Sequence, residues 1–147
     1  MSLLKSSYKI LKEYNLIVES HTGSLDLKSY IDFVERMKLD PLFSIDMNFY
    51  VDLSNVVVTA SIDDVKIYNN FSESIFKSEN KRKVALITDS PNQMVFATLF
   101  KNSNTQKSKV IEIFSTKESA IQWLNTNLNK EEILNILSNI KREHSLK

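Results

Sequence analysis

Cysteine is absent from this chain of 147 residues, and glycine occurs once, at Gly23. Without a thiol there is no disulfide, no thiolate nucleophile and no sulfur-ligated metal, which suits a reducing compartment. Dinucleotide fingerprints and phosphate loops need several glycines for tight turns and close backbone approach, so a single glycine excludes both. Charge of one sign is lacking as well: 19 Lys and Arg against 18 Asp and Glu leave a net +1. No global field draws in nucleic acid, an anionic membrane or an acidic substrate, and nucleic-acid binding is not expected. Met1-Ser2-Leu3-Leu4-Lys5 has no apolar signal core and no window approaches a membrane span, so the expected location is the cytoplasm, without membrane insertion. A chain of this length buries roughly two-thirds of the surface its unfolded form exposes, enough for one domain over residues 1–147 without a metal or disulfide.

What is present alternates between two periods. Residues 8–11 and 16–19 are short strand candidates spaced as a hairpin, followed by His21-Thr22-Gly23-Ser24 as a turn. Leu27, Tyr30, Ile31, Val34 and Met37 recur at helical spacing, capped by Ser24 or Asp26 and ended before Pro41. Phe49-Tyr50-Val51-Asp52-Leu53-Ser54 is a buried strand that enters a loop, and Ser61 with Asp64 three residues on is a capping box for a helix carrying Val65, Tyr68, Phe71, Ile75 and Phe76. The unbroken apolar run over residues 84–88 marks a central strand, and Ser90-Pro91-Asn92-Gln93 is a strong helix start. Residues 102–109 form a polar loop before a strand over 110–114; Ser115-Thr116-Lys117-Glu118 and Asn129 with Glu132 cap the last two helices. The resulting β-β-α-β-α-β-α-β-α order with an extra C-terminal helix predicts an α/β fold: one mixed, mainly parallel sheet of about five strands, core about 8–125 and final helix about 129–142.

Chemistry-bearing residues gather where strands meet helices. Asp52, Ser54, Thr88 and Asp89 belong near the carboxyl ends of neighbouring strands, where two carboxylates can hold a cation or act as acid and base; turn and loop capping is the commoner use of such residues. No lysine motif or third carboxylate completes a known site, so no catalytic residue, metal or cofactor is assigned. His21, in a turn, and His144, in the tail, are read as solvated; Lys81-Arg82-Lys83 is read as a solvated edge and Trp123 as a core plug. The helix over 91–101 carries Met94, Val95, Phe96, Ala97, Leu99 and Phe100, wider than the stripe a sheet can cover. Its excess apolar surface is expected to meet the terminal helix or a second subunit, with Met94, Phe96 and Phe100 as interface candidates.

The pieces Leu16-Ile17-Val18-Glu19 running to Gly23, Leu39-Asp40-Pro41, Tyr50-Val51-Asp52-Leu53, the strand over 83–88, and Ile113-Phe114-Ser115 leading to Ala120-Ile121-Gln122-Trp123-Leu124 resemble the SpoIIAA-like branch of the STAS superfamily, domains related to sulfate-transporter tails and anti-sigma-factor antagonists. In the sporulation regulators that name that branch, a serine opening the helix after this strand is phosphorylated by a partner kinase. The matching residue here is Ser61, but the Asp-Ser-Ser-Gly or Asp-Ser-Thr-Gly pattern is replaced by Ala60-Ser61-Ile62-Asp63, and Asp63 and Asp64 would repel a phosphate, so an N-cap role is favoured. The resemblance implies a non-catalytic regulatory or protein-interaction module, a homodimer or the partner of a regulatory protein. The alternatives are a carrier of a small apolar ligand or lipid, built on Phe33, Phe71, Phe76, Phe96 and Phe100, and a hydrolase using Asp52 and Asp89.

Overall fold

The computed structural model describes residues 3–75, 80–125 and 129–145, with the side chains of residues 130 and 141–145 outside that description. Phe76 and the side chain of His144 lie outside it. The elements are β1 (Lys5–Leu11), β2 (Leu16–Leu25), α1 (Leu27–Lys38), β3 (Asn48–Val58), α2 (Ile62–Ile75), β4 (Arg82–Ile87), α3 (Pro91–Asn102), β5 (Lys109–Phe114), α4 (Lys117–Leu124) and α5 (Lys130–Ser145). A 3-10 turn, Lys12–Tyr14, joins β1 to β2, and Asn15 follows it in the left-handed region that Asn tolerates.

One sheet of order β1-β2-β3-β4-β5 holds the strands; the β1–β2 hairpin is antiparallel and every other pair is parallel. Each parallel crossover moves one strand in the same direction, and right-handed crossovers then place their helices on one face. Accordingly α1, α2 and α3 bury Phe33, Met37, Val65, Tyr68, Ala97 and Phe100 against Ile17, Val51, Leu86 and Ile111. The opposite face is left to α4 and α5, whose Ile121, Leu124, Ile133, Leu137 and Ile140 pack on Val18, Tyr50, Ala85 and Ile87. The strand order never reverses, so the sheet lacks the topological switch point where doubly wound folds form their ligand crevice.

Two local readings are corrected. His21-Thr22-Gly23-Ser24 is no turn: β2 runs on to Leu25 with a register shift between Ser20 and Thr22, and Gly23 takes φ 90° within it. The segment after Asn55, read as a loop, is its partner, since β3 continues to Val58 and pairs Val56 with Gly23. Long parallel pairing satisfies these backbones where a sequence window sees only turn-forming residues. The terminal helix α5 lies on the face opposite α3 and is not its cover.

Candidate functional site

The carboxyl ends of the strands hold capping chemistry. Asp52 is buried, and its Oδ1 accepts from the backbone N–H of Ser54 at 3.0 Å and from the Ser54 hydroxyl at 2.5 Å. Its Oδ2 has no hydrogen-bond partner among the described residues and faces Lys117 Nζ at 3.9 Å. The Tyr50 hydroxyl and Ser20 Oγ, on the same α4/α5 side of the sheet by strand alternation, likewise have no hydrogen-bond partner among the described residues. Burial, then the Asp52 charge, holds the Tyr50 phenol well above its ordinary pKa. Thr88 is buried, with its N–H given to Phe114 O at 3.0 Å, whereas Asp89 is exposed and donates its N–H to Gln93 Oε1 at 2.6 Å. Asp52 is thus tied to Ser54 and Asp89 stands in solvent. At Ser61 the capping box forms: Oγ accepts from Asp64 N at 3.1 Å, and Asp64 Oδ2 accepts from Ser61 N at 2.9 Å.

Under the α1/α2/α3 layer lies a second set of polar groups, deep in the core. Glu19 and His21 follow Ile17 at two-residue spacing, so they face the same layer, and both are buried (1% and 0% exposed). His21 Nδ1 meets Ser6 Oγ at 2.7 Å and His21 Nε2 meets Glu19 Oε1 at 2.8 Å. From α1, the Tyr30 hydroxyl donates to the same Glu19 Oε1 at 2.9 Å. The Tyr30 ring packs edge-on against Tyr68 of α2, ring centres 5.2 Å apart, and the buried Ser72 follows Tyr68 one turn later. Lys109 Nζ, at the start of β5, donates to Ser72 Oγ at 3.2 Å.

These groups form a buried polar string with a defined bond at each end: the Tyr30 phenol gives its proton to Glu19, and the Lys109 amine donates to Ser72. Burial, then Glu19, pushes the Tyr30 phenol well above its usual pKa; burial leads for Tyr68 too. Lys109 is 7% exposed, sits 4.9 Å from the centre of the Phe100 ring, and is driven down to about 7 by burial, then by the Arg82 charge. Arg82 is itself buried, donating to Ile45 O at 2.9 Å and Gln106 Oε1 at 3.1 Å.

Two cavities flank the string. One of about 50 Å³ lies toward the carboxyl ends of the strands among Leu25, Leu53, Val65 and Phe96. One of about 40 Å³ lies toward their amino ends among Glu19, Ser72, Arg82 and Lys109. They share Tyr30, Val51, Tyr68, Leu86 and Phe100 as walls.

His21, Arg82 and Lys109, read from sequence as turn, edge and loop residues, are therefore interior. The available signal was Glu19 and His21 in phase with Ile17 on a parallel strand, both of whose faces a crossover fold covers. The tertiary neighbours of Arg82 and Lys109 left no such trace. Trp123 is half-buried against Phe114, ring centres 5.5 Å apart, with Lys83 Nζ 5.1 Å above it. On α3, Met94 and Val95 are 48% and 60% exposed, Phe96 is part of the first cavity's wall, and Phe100 is buried. Among the described residues no group of three or more His, Asp or Glu is placed to hold a metal ion, and no helix is long and apolar enough to cross a membrane.

A five-stranded, singly wound α/β sheet with an antiparallel edge hairpin and helices on both faces defines the SpoIIAA-like class of fold. The chain is similar to the crystal structure of an uncharacterized protein of the DUF3478 family, with a SpoIIAA-like fold, from Shewanella loihica PV-4: TM-score 0.56, 15% identity, over 84% of this chain and 97% of that one. At that identity the likeness carries the fold alone, and it agrees with the resemblance drawn from the sequence. No family model matches the chain, and no curated protein matches it.

Proposed function

We propose that this chain is a non-catalytic binding module that takes a small, mainly apolar molecule with one polar end into the paired cavities under α1, α2 and α3. The observation that carries this reading is the pairing itself: an apolar chamber and a polar-ended chamber share the Tyr30, Tyr68 and Phe100 walls. Cavities of about 50 and 40 Å³ each have room for a few water-sized groups, which suits a short molecule better than a long acyl chain. Occupation would bear on α1, α2 and α3 together, and that is a route by which a ligand could alter what a regulatory partner meets. The cytoplasm is the compartment we assign to it. A hydrolase built on Asp52 and Asp89 has less support, since Asp52 is buried with its Oδ1 held by Ser54 while Asp89 stands in solvent.

Titration with 1-butanol, followed by NMR, tests the reading. Saturable shifts confined to Tyr30, Tyr68, Phe100 and their neighbours are expected; linear, dispersed shifts without saturation would sink it. A second reading, association with a second copy, is favoured by the exposed Met94 and Val95 on α3.

A further inference from the structure

We propose that Lys109 captures a small aldehyde, of about three to five carbon atoms given the room available, as a reversible imine inside the cavity it shares with Ser72, Arg82 and Glu19. The inference deepens the ligand reading above and rests on it. That reading needs the chambers to fill; this one needs the occupant to bond to one nitrogen.

Among the described residues Lys109 is the one buried lysine. Lysine side chains ordinarily carry their charge to water, and a lysine enclosed only for structure is expected to be matched by a carboxylate. No described carboxylate stands within ion-pair distance of its Nζ, which instead touches a serine hydroxyl at 3.2 Å and an aromatic ring at 4.9 Å. A methionine would fill the same volume at no desolvation cost. The amine is also on the same cavity wall as the Arg82 guanidinium, and enclosure together with a second cation disfavours the ammonium form. These two conditions, an apolar enclosure and a cationic neighbour, are those that turn a lysine into a carbonyl-directed nucleophile.

The step balances without an oxidant or reductant. The Nζ lone pair attacks the carbonyl carbon, a C–N bond forms, and the C=O π electrons move to oxygen. A proton passes from nitrogen to that oxygen, giving a carbinolamine. A second proton lets the oxygen leave as water while nitrogen forms the C=N bond: R–CHO plus Lys–NH2 gives R–CH=N–Lys plus H2O. The Ser72 hydroxyl, already bonded to Nζ, is placed to relay these protons. The alkyl end of the aldehyde would run past Tyr68 and Phe100 toward the apolar chamber at Leu53, Val65 and Phe96.

Reductive trapping of the intact protein tests this. The protein is incubated with butanal and sodium cyanoborohydride at pH 7, and the modified lysines are mapped and timed by peptide mass spectrometry. An ordinary exposed lysine keeps under about a thousandth of its amine uncharged at that pH. Lys109 should be labelled at least about tenfold faster than the exposed Lys66, and added 1-butanol should slow labelling of Lys109 while leaving Lys66 unchanged. Labelling of Lys109 no faster than Lys66 overturns the imine. If 1-butanol nevertheless saturates the Tyr30, Tyr68 and Phe100 resonances, the cavity reading survives that failure; if it does not, both fall.

Discussion

Lys109 makes stability depend on pH in an unusual direction. Its folded pKa, near 7, lies below its unfolded value near 10.5, so between those limits the unfolded chain binds more protons than the folded one. Stability should therefore rise with pH from about 7 to about 10, by at most about 1.4 kcal/mol per pH unit for one proton. The phenols act in the opposite sense. Burial raises Tyr8 to about 12, with Asp40 adding to it, and holds Tyr30 and Tyr68 above their unfolded value near 10. Stability that these tyrosines contribute is present below pH 10 and is lost as pH climbs through their folded values. Urea denaturation at a series of pH values should show a rise, a maximum near pH 10 and a fall. Lys109→Met should remove the rise and spare the fall; a rise of the same slope in that variant would assign it to another group.

At the scale of an element, β2 carries the Glu19–His21 end of the buried string. A regular strand through Ser20 and Thr22 would keep strict two-residue alternation with β3, but the pairing shifts there, and Gly23 absorbs the change at φ 90°. A residue with a Cβ is strained in that region, so Gly23→Ala should destabilise the fold by roughly 1–2 kcal/mol, read from the denaturation midpoint at unchanged m-value. Because His21 stands inside this shift, the same variant should also disturb the His21 ring signals in NMR. A neutral Gly23→Ala would mean that the shift is not what the glycine serves. The helices opposite are anchored more conventionally: Asp26, Ser90 and Thr116 accept from the third residue of α1, α3 and α4, and each cap contributes about 1 kcal/mol.

On the scale of the whole molecule, the two faces of the sheet differ in kind. The α4/α5 side is an apolar core in which, among the described residues, Ser20 Oγ, the Tyr50 hydroxyl and Asp52 Oδ2 lack a hydrogen-bond partner, while the α1/α2/α3 side encloses the charged string and the cavities. Only on the latter does α3 also turn Met94 and Val95 outward. If that exposed strip joins two copies, Val95→Glu should shift sedimentation toward monomer with the circular dichroism of the folded chain retained. Phe96→Glu is a poorer probe, since Phe96 is part of a cavity wall and a charge there would disrupt the core. Wild-type protein that sediments as a monomer at high concentration would remove the second-copy reading.

The sequence by itself determined the order of elements, because period, caps and Pro91 are local: the alternation of strands and helices, the capping box at Ser61 and the apolar β4 run all follow from neighbours within a few residues. Right-handed crossovers then left few topologies open, and the mixed five-stranded sheet followed. Tertiary structure alone decided which polar residues became interior. Glu19 and Tyr30 are 11 residues apart and Lys109 and Ser72 are 37 apart, so their meeting depends on how α1, α2 and β5 dock rather than on any local pattern. Arg82 and Lys109 each begin a strand, where a charged residue in sequence looks like an edge in water; they are enclosed because the ends of β4 and β5 pair beside each other beneath α2. A side chain's burial is a property of what packs over it, and for this string that covering comes from segments distant in the chain.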